Sequence, residues 1–331
     1  MKSGKVSEAV LKRSVIKIVN KQGKGNITSK AGVGCDAGLF ELQTEGIAAT
    51  SCTTLAGQEE GLAALAVHRA CNSLAAAGCT PTAVTVQLML PETMEEAELK
   101  QTMQEILSAC ESAKVVLNQG HTQISSFVTE RIVSVTAIGT TSATATLEED
   151  VYGSDLVMTK YAGLAGATLL AKYYRENLHE RYTYAFVDRA AARQPEVSVL
   201  PEAAVLKERG IRHMHDVAEG GVFGAVWELA ERLHAGVELD LKKIPILQDT
   251  VEICEYFDVN PYQLKGDGAL LFLTHDSDGV IAELKAQGIP AAVIGKMTDS
   301  NDRVLINEDE CRFLEPNRVD EYEKARKSER K

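Results

Sequence analysis

The stretch MHDVAEGGVFGAVWELA, residues 214–230, decides the fold. A strand runs into His215 and Asp216, two adjacent glycines follow at Gly220 and Gly221, and a helix is expected from Glu219 to His234. Glycines at a strand-to-helix turn let backbone N–H groups approach phosphate oxygens, and the helix start favours negative charge. Three more glycine segments occupy similar places: GVGCDAG (Gly32–Gly38), NQGHT (Asn118–Thr122) and TKYAGLAG (Thr159–Gly166). Each alone is more often a plain turn. Four in one chain, two of them carrying an acid (Asp36 and Asp216), point to phosphates with Mg²⁺ held between them by carboxylates. The phosphate loop GxxxxGK[ST] is absent, as are GxGxxG after a first strand, HExxH and GxSxG. Any nucleotide site is therefore of another kind.

Working outward, the first half predicts a helix over Val6–Val19, a strand at Gly46–Thr50 and a helix over Gln58–Ala77 that stops at Gly78. A strand with period-two alternation follows at Thr82–Leu90, then a charged helix over Glu92–Ala113. Lys114–Leu117 is a short strand running into the NQGHT loop, and Arg131–Gly139 is another strand. An acidic turn near Glu148–Gly153 marks a boundary. Beyond it come strands at Asp155–Lys160, at His215–Asp216, at Val237–Leu241, at Ala269–Leu273, near Ala291–Ile294 and near Arg303–Ile306, interleaved with helices. The mixture lacks a strict βαβ repeat, so the expected class is α+β in two domains, 1–150 and 151–320, with a charged tail over 321–331 that frays over Lys324–Lys331.

Composition narrows the function. The 331 residues carry 35 Lys and Arg against 47 Asp and Glu, a net charge of −12, with 45% apolar and 25% charged residues. That balance is of a folded globular chain and disfavours a general nucleic-acid binder. No stretch approaches the ~20 apolar residues of a membrane span. Residues 1–25 show no apolar export core, so a cytoplasmic protein without a membrane partner is expected. The seven cysteines form no CxxC pair, and an odd count in a long chain predicts reduced thiols.

The order GVGCDAG, ATSCTT, CNSLAAAG, QGHT, DLVMTKYAGLAG, MHDVAEGGVFGAVWELA resembles the aminoimidazole ribonucleotide synthetase (PurM-like) superfamily. Its members include thiamine-monophosphate kinase, selenophosphate synthetase and the hydrogenase maturation protein HypE. NPYQLKGDGALLFLT and VIGKMT fit the HypE-like pattern, so the likeness spans roughly Lys5 to Val319. The resemblance implies a two-domain α+β protomer, a homodimer whose N-terminal domains share a β-barrel, and an ATP cleft. It also implies phosphoryl transfer to an amide-type or related oxygen, on a small-molecule or protein-bound acceptor. The nucleotide-binding positions it marks are Asp36, Asn72, Gly120, His121, Thr122, Lys160, Gly163, Gly166, Asp216, Gly220 and Gly221, with Asp36 and Asp216 as magnesium ligands.

The chain departs from that pattern where HypE-like members carry Asp-Asp, Thr-Thr-Asp and Asn-Asp. Here the positions read Cys35-Asp36, Cys52 and Asn72-Ser73, so three hard oxygen donors are missing. It also ends in KSERK rather than in the cysteine of HypE, and a plain HypE role is not expected. Thiolates and imidazole favour zinc or iron over magnesium, so Cys35, Cys52 and His121 form an alternative metal set if they converge; small buried cysteines are otherwise simply core. Lys160 is equally readable as phosphate contact or surface lysine. Asp216 is readable as ligand or helix cap, and His213 with His215 as a metal pair or structural residues. His68 and Arg69 read as interface or surface, and Trp227 as core. The non-enzymatic alternative is a degenerate nucleotide- or metal-binding maturation or scaffold protein.

Overall fold

The computed structural model describes residues 4–5, 10, 12–21, 47–141, 151–315 and 319–328. Cys35, Asp36 and the whole GVGCDAG segment lie outside the described residues, as does the boundary turn at 148–150. The chain divides into two compact units, 1–74 with 79–144, and 75–78 with 145–331.

The first unit holds strands β1 (Gly4–Lys5), β2 (Ile47–Ala56), β3 (Thr80–Leu90), β4 (Val116–Ile124) and β5 (Ile132–Thr141), in the sheet order β1-β4-β3-β5-β2. Its helices are α1 (Lys17–Val19), entered through a wide turn at Lys12–Ile16, α2 (Leu62–Ala76) and α3 (Glu96–Ala113). β3 and β4 run parallel, which requires the crossover that α3 provides. The alternation read in β3 holds, with Val84, Val86, Leu88 and Leu90 buried. The α3 start falls at Glu96 because Glu95 and Glu98 form a capping box. At the end of α2, Gly78 takes φ 75° and the chain turns back, with the Cys79 N–H on the Leu74 carbonyl. His68 and Arg69, expected at a surface or interface, are buried; α2 is apolar on most sides, and such a helix is enclosed.

The second unit is a seven-stranded sheet of β6 (Asp155–Thr159), β7 (Met214–Asp216), β8 (Gly236–Asp240), β9 (Leu270–Thr274), β10 (Ala291–Thr298), β11 (Arg303–Asn307) and β12 (Glu310–Phe313), ordered β12-β11-β8-β10-β6-β9-β7. The helices are α4 (Leu164–Tyr173), α5 (Arg175–His179), α6 (Tyr184–Ala191), α7 (Leu200–Glu208), α8 (Gly221–Leu233), α9 (Gln248–Phe257), α10 (Ser277–Ala286) and α11 (Glu321–Ser328). Period two sorts the central strands between two cores. Leu156, Met158, Leu271 and Leu273 pack with Val222, Val226 and Leu229 of α8. Val157, Leu270 and Phe272 pack with α7 and α10 through Leu206, Val280 and Leu284. Strands covered on both faces read as continuous apolar runs, and β6 and β9 do.

Two expectations are corrected. QGHT is not a strand-end loop: Gly120, His121 and Thr122 lie inside β4, which continues to Ile124 and pairs with β3 from Gln119 to Ile124 beyond a register shift at Asn118. Residues 324–328, expected to fray, belong to α11, because Tyr322 and Ala325 are fully buried and anchor it.

Candidate functional site

In the first unit the exposed sheet face carries the polar candidates. Cys52 on β2 pairs with Thr136 on β5, Thr136 with Thr85 on β3, and Thr85 with Gln119 on β4. His121 stands two residues further along β4 and is exposed. Directly paired residues share a face, so Cys52 and His121 share this one with two strands between them. Three strand spacings of about 4.8 Å separate them by roughly 14 Å, too far for one ion. The convergence of Cys52 with His121 is therefore corrected. Cys52 Sγ instead lies 3.2 Å from Thr136 Oγ1. Among the six described cysteines none forms a disulfide, and burial pushes the Cys71 thiol up to about 12, far from a thiolate. Among the described residues no three His, Cys, Asp or Glu assemble a metal cage.

The remaining candidates of this unit are dispersed. Thr122 is buried, facing opposite to His121. A Cβ at Gly120 would meet the Val86 carbonyl at 2.8 Å, so glycine there permits the close β3–β4 approach. Asn72 is buried on α2. Its neighbour Ser73 donates its hydroxyl to the Arg69 carbonyl at 3.2 Å. A hydroxyl so engaged is a poor replacement for a magnesium carboxylate.

In the second unit one loop, residues 260–268, explains three of the four candidate glycines. A Cβ at Gly163 would meet the Pro261 carbonyl at 2.9 Å, and one at Gly166 would strike the Leu264 side chain. At Gly221, which takes φ 61°, the Tyr262 and Leu264 carbonyls would stand at 2.6 and 2.7 Å. The loop is tied in by the Gly166 N–H on the Lys265 carbonyl and the Gly266 N–H on the Ala218 carbonyl. Close backbone packing accounts for these glycines without a ligand. TKYAGLAG and EGG thus meet at a single loop, an association that sequence spacing did not reveal.

Lys160 is held in the left-handed conformation, φ 52°. Its Nζ reaches Glu202 Oε1 at 2.6 Å and donates to the Ser198 and Glu196 carbonyls at 2.6 and 3.2 Å. An ammonium has three donors, so none is left for a phosphate in this arrangement, against the reading of Lys160 as a phosphate contact. Glu202 is fully buried, and desolvation raises its pKa against the pull of Lys160. Asp216 ends β7 and lies near Arg232, whose own pKa burial lowers. The neighbouring His215 has Nε2 3.0 Å from Glu228 Oε2, whereas His213 is buried, so the two histidines do not form a matched pair.

The start of α8 is engaged from an unexpected direction. The Gly220 N–H donates to Asp320 Oδ2 at 2.7 Å, and the Lys265 N–H donates to Asp320 Oδ1 at 3.2 Å. Lys265 is itself buried and pairs with Glu219 at 2.7 Å. Burial raises the Asp320 pKa, opposed by Lys265 and by the backbone N–H groups. Neither Asp320 nor Lys265 was singled out from sequence; the signal available for Asp320 was an acid just before a polar helix, the usual place of an N-cap.

Comparison with known proteins places these features. The family model "AIR synthase related protein, N-terminal domain" matches residues 34–141, and "AIR synthase related protein, C-terminal domain" matches residues 152–307. A relative named carbamoyl dehydratase HypE, from Bradyrhizobium diazoefficiens, is 25% identical over 272 residues, covering 78% of this chain and 75% of its own. The crystal structure of E. coli HypE superposes with TM-score 0.76 at 16% identity, covering 96% of this chain and all of the other. A HypE structure in complex with ATP gives TM-score 0.71 at 16% identity over 95% of each chain. With both domains matched in the expected order, the chain belongs to the AIR synthase related proteins.

Proposed function

We propose that this protein is an ATP-dependent, HypE-like member of its family that transfers a phosphoryl group to an amide-type or related oxygen acceptor. The acceptor oxygen would attack the γ-phosphorus, ADP would leave, and the phosphorylated oxygen would become a leaving group. The observation that carries the reading is the match of both family domains, in order, on a fold shared with a HypE structure that holds ATP. In this proposal residues 1–150 bind nucleotide and dimerise, and residues 151–320 complete the protomer, with Asp36, Asn72, Asp216 and Gly220 as the phosphate-side residues to test. The acceptor is a small molecule or a protein-bound group. The described residues do not fit a chain-built magnesium cage, since thiol and hydroxyl groups stand at Cys52 and Ser73. The metal-binding arrangement is therefore altered, and no step is routed through an ion. Those substitutions also support a second reading, a descendant that binds nucleotide without turnover.

Calorimetry of the full chain with ATP and Mg²⁺, followed by a phosphate-release assay, tests the proposal. Binding with slow turnover is expected. The double variant Cys52→Asp with Ser73→Asp should then raise turnover by roughly tenfold, about 1.4 kcal/mol at the transition state. Absence of both binding and hydrolysis would overturn it.

A further inference from the structure

The second unit ends its sheet on an open strand. β12 (Glu310–Phe313) is the last strand in the order, and all four of its residues are exposed. It returns from β11 through a turn at Glu308, which takes φ 56° and pairs with Lys242. The register decides which main-chain groups face out. The Leu314 N–H donates to the Arg303 carbonyl at 2.8 Å. Antiparallel pairs alternate, so Arg312 and Glu310 likewise turn their N–H and C=O groups toward β11, opposite Leu305 and Asn307. Cys311 and Phe313 turn theirs outward, along the open edge. Exposed edges are ordinarily blunted by lysine, proline or a bulge. β12 contains neither lysine nor proline, and its pairing with β11 runs without a register shift. One face carries Glu310 and Arg312, which form no ion pair among the described residues. The other carries Cys311 and Phe313, the latter 68% exposed, beside Ile306 and Val304.

We propose that β12 is a self-pairing edge: a second copy of this chain adds its own β12 antiparallel, about a two-fold axis at Cys311. Outward main-chain groups must meet outward groups, which limits the registers open to the pair. Centring on Cys311 sets Glu310 opposite Arg312 of the second copy, twice. Moving the axis to Arg312 or to Glu310 sets like charges opposite, and these destabilise a ladder where opposite charges support it. An edge of one sign repels itself in every register; Glu-Cys-Arg has one register that attracts. On the other face the pairing joins Ile306 and Cys311 of both copies into one apolar strip flanked by Phe313. Four residues a side bury far less than the ~1,000 Å² of a stable interface. The pairing is therefore weak and rises with concentration. It belongs to the second unit alone and does not depend on the proposed function.

The test is a short bis-maleimide, which joins two thiols, applied to the full-length protein over a range of concentrations. Residues opposed in a hydrogen-bonded pair stand about 5.5 Å apart at Cα, within reach of the reagent. Mass spectrometry should find a peptide linking Cys311 to Cys311, its yield rising with protein concentration. Glu310→Arg and Arg312→Glu, each alone, should lower that yield several-fold, since each sets like charges opposite. Mixing the two variants should restore it, because each then meets the opposite charge on the other, and the link should join one variant to the other. Recovery in the mixture also shows that both variants fold. No Cys311 link in the unaltered protein at any concentration overturns the proposal without recourse to a variant, and leaves the edge to an extended strand of another chain. A link that the single variants do not weaken, or that the mixture does not restore, overturns the register and the pairing with it.

Discussion

At the residue scale, glycines that look alike in sequence divide by what surrounds them. Gly221 combines φ 61° with two carbonyls inside 3 Å of a would-be Cβ, whereas Gly210 takes φ 77° with nothing within 4 Å. Gly221→Ala should therefore cost about 3 kcal/mol or more, from left-handed strain of roughly 1–2 kcal/mol plus displacement of the 260–268 loop. Gly210→Ala should cost only the strain. For a unit of the size of the second one the first change lowers Tm by about 6–12 °C, read by differential scanning calorimetry; equal shifts for the two variants would contradict the packing account. The sequence reading identified Gly163, Gly166 and Gly221 as special positions but credited phosphate. A glycine run shows that something comes close, and it does not show whether that something is a ligand or the chain's own backbone.

At the element scale, single side chains decide how helices are joined. Asp249, in the first turn of α9, accepts a fork from Arg189 of α6 at 2.6 and 3.0 Å, and a third contact from Arg193 at 3.3 Å. The Arg189 hydrogen bonds hold its pKa below the usual carboxylate range, against the opposing effect of burial. A depressed folded value stabilises the fold above the unfolded pKa of about 3.9, and that stabilisation is lost as pH falls through the folded value. Asp249→Asn should cost roughly 1–3 kcal/mol at neutral pH. The difference from the unaltered protein should shrink toward zero on acidification, as measured by urea melts across pH. Glu202 and Asp320, with raised values, act in the opposite sense in both proteins and cancel from that difference. A gap independent of pH would assign the loss to packing. Element identity was largely legible in the sequence: β3, α3 and α8 follow from periodicity and caps. The length of β4 was not, because Gly120 punctuates a strand only if its neighbour is ignored, and β3 lies close enough to require that glycine.

At the scale of the whole molecule, the first unit leaves one sheet face open. Thr54, Cys52, Ser134, Thr136, Gln87 and His121 are unevenly polar and include no Asp, Glu, Lys or Arg. Carrying forward the homodimer expectation, sedimentation equilibrium should give twice the chain mass of 35.8 kDa. The double variant Thr136→Lys with Gln87→Lys should reduce it to one chain mass, because like charges would face each other across the two-fold. A monomer before substitution would overturn the expectation. Among the described residues no helix is long and apolar enough to cross a membrane. The sequence by itself determined the family and the α+β class, since glycine punctuation and apolar period are local properties that survive in one dimension. Only the tertiary structure decided what those positions touch. Asp320 reaches Gly220 across 100 residues, Lys160 finds Glu202 rather than solvent, and Cys52 stands three strands from His121. Partnership of this kind is set by which segments pack together, and residue spacing along the chain does not encode it.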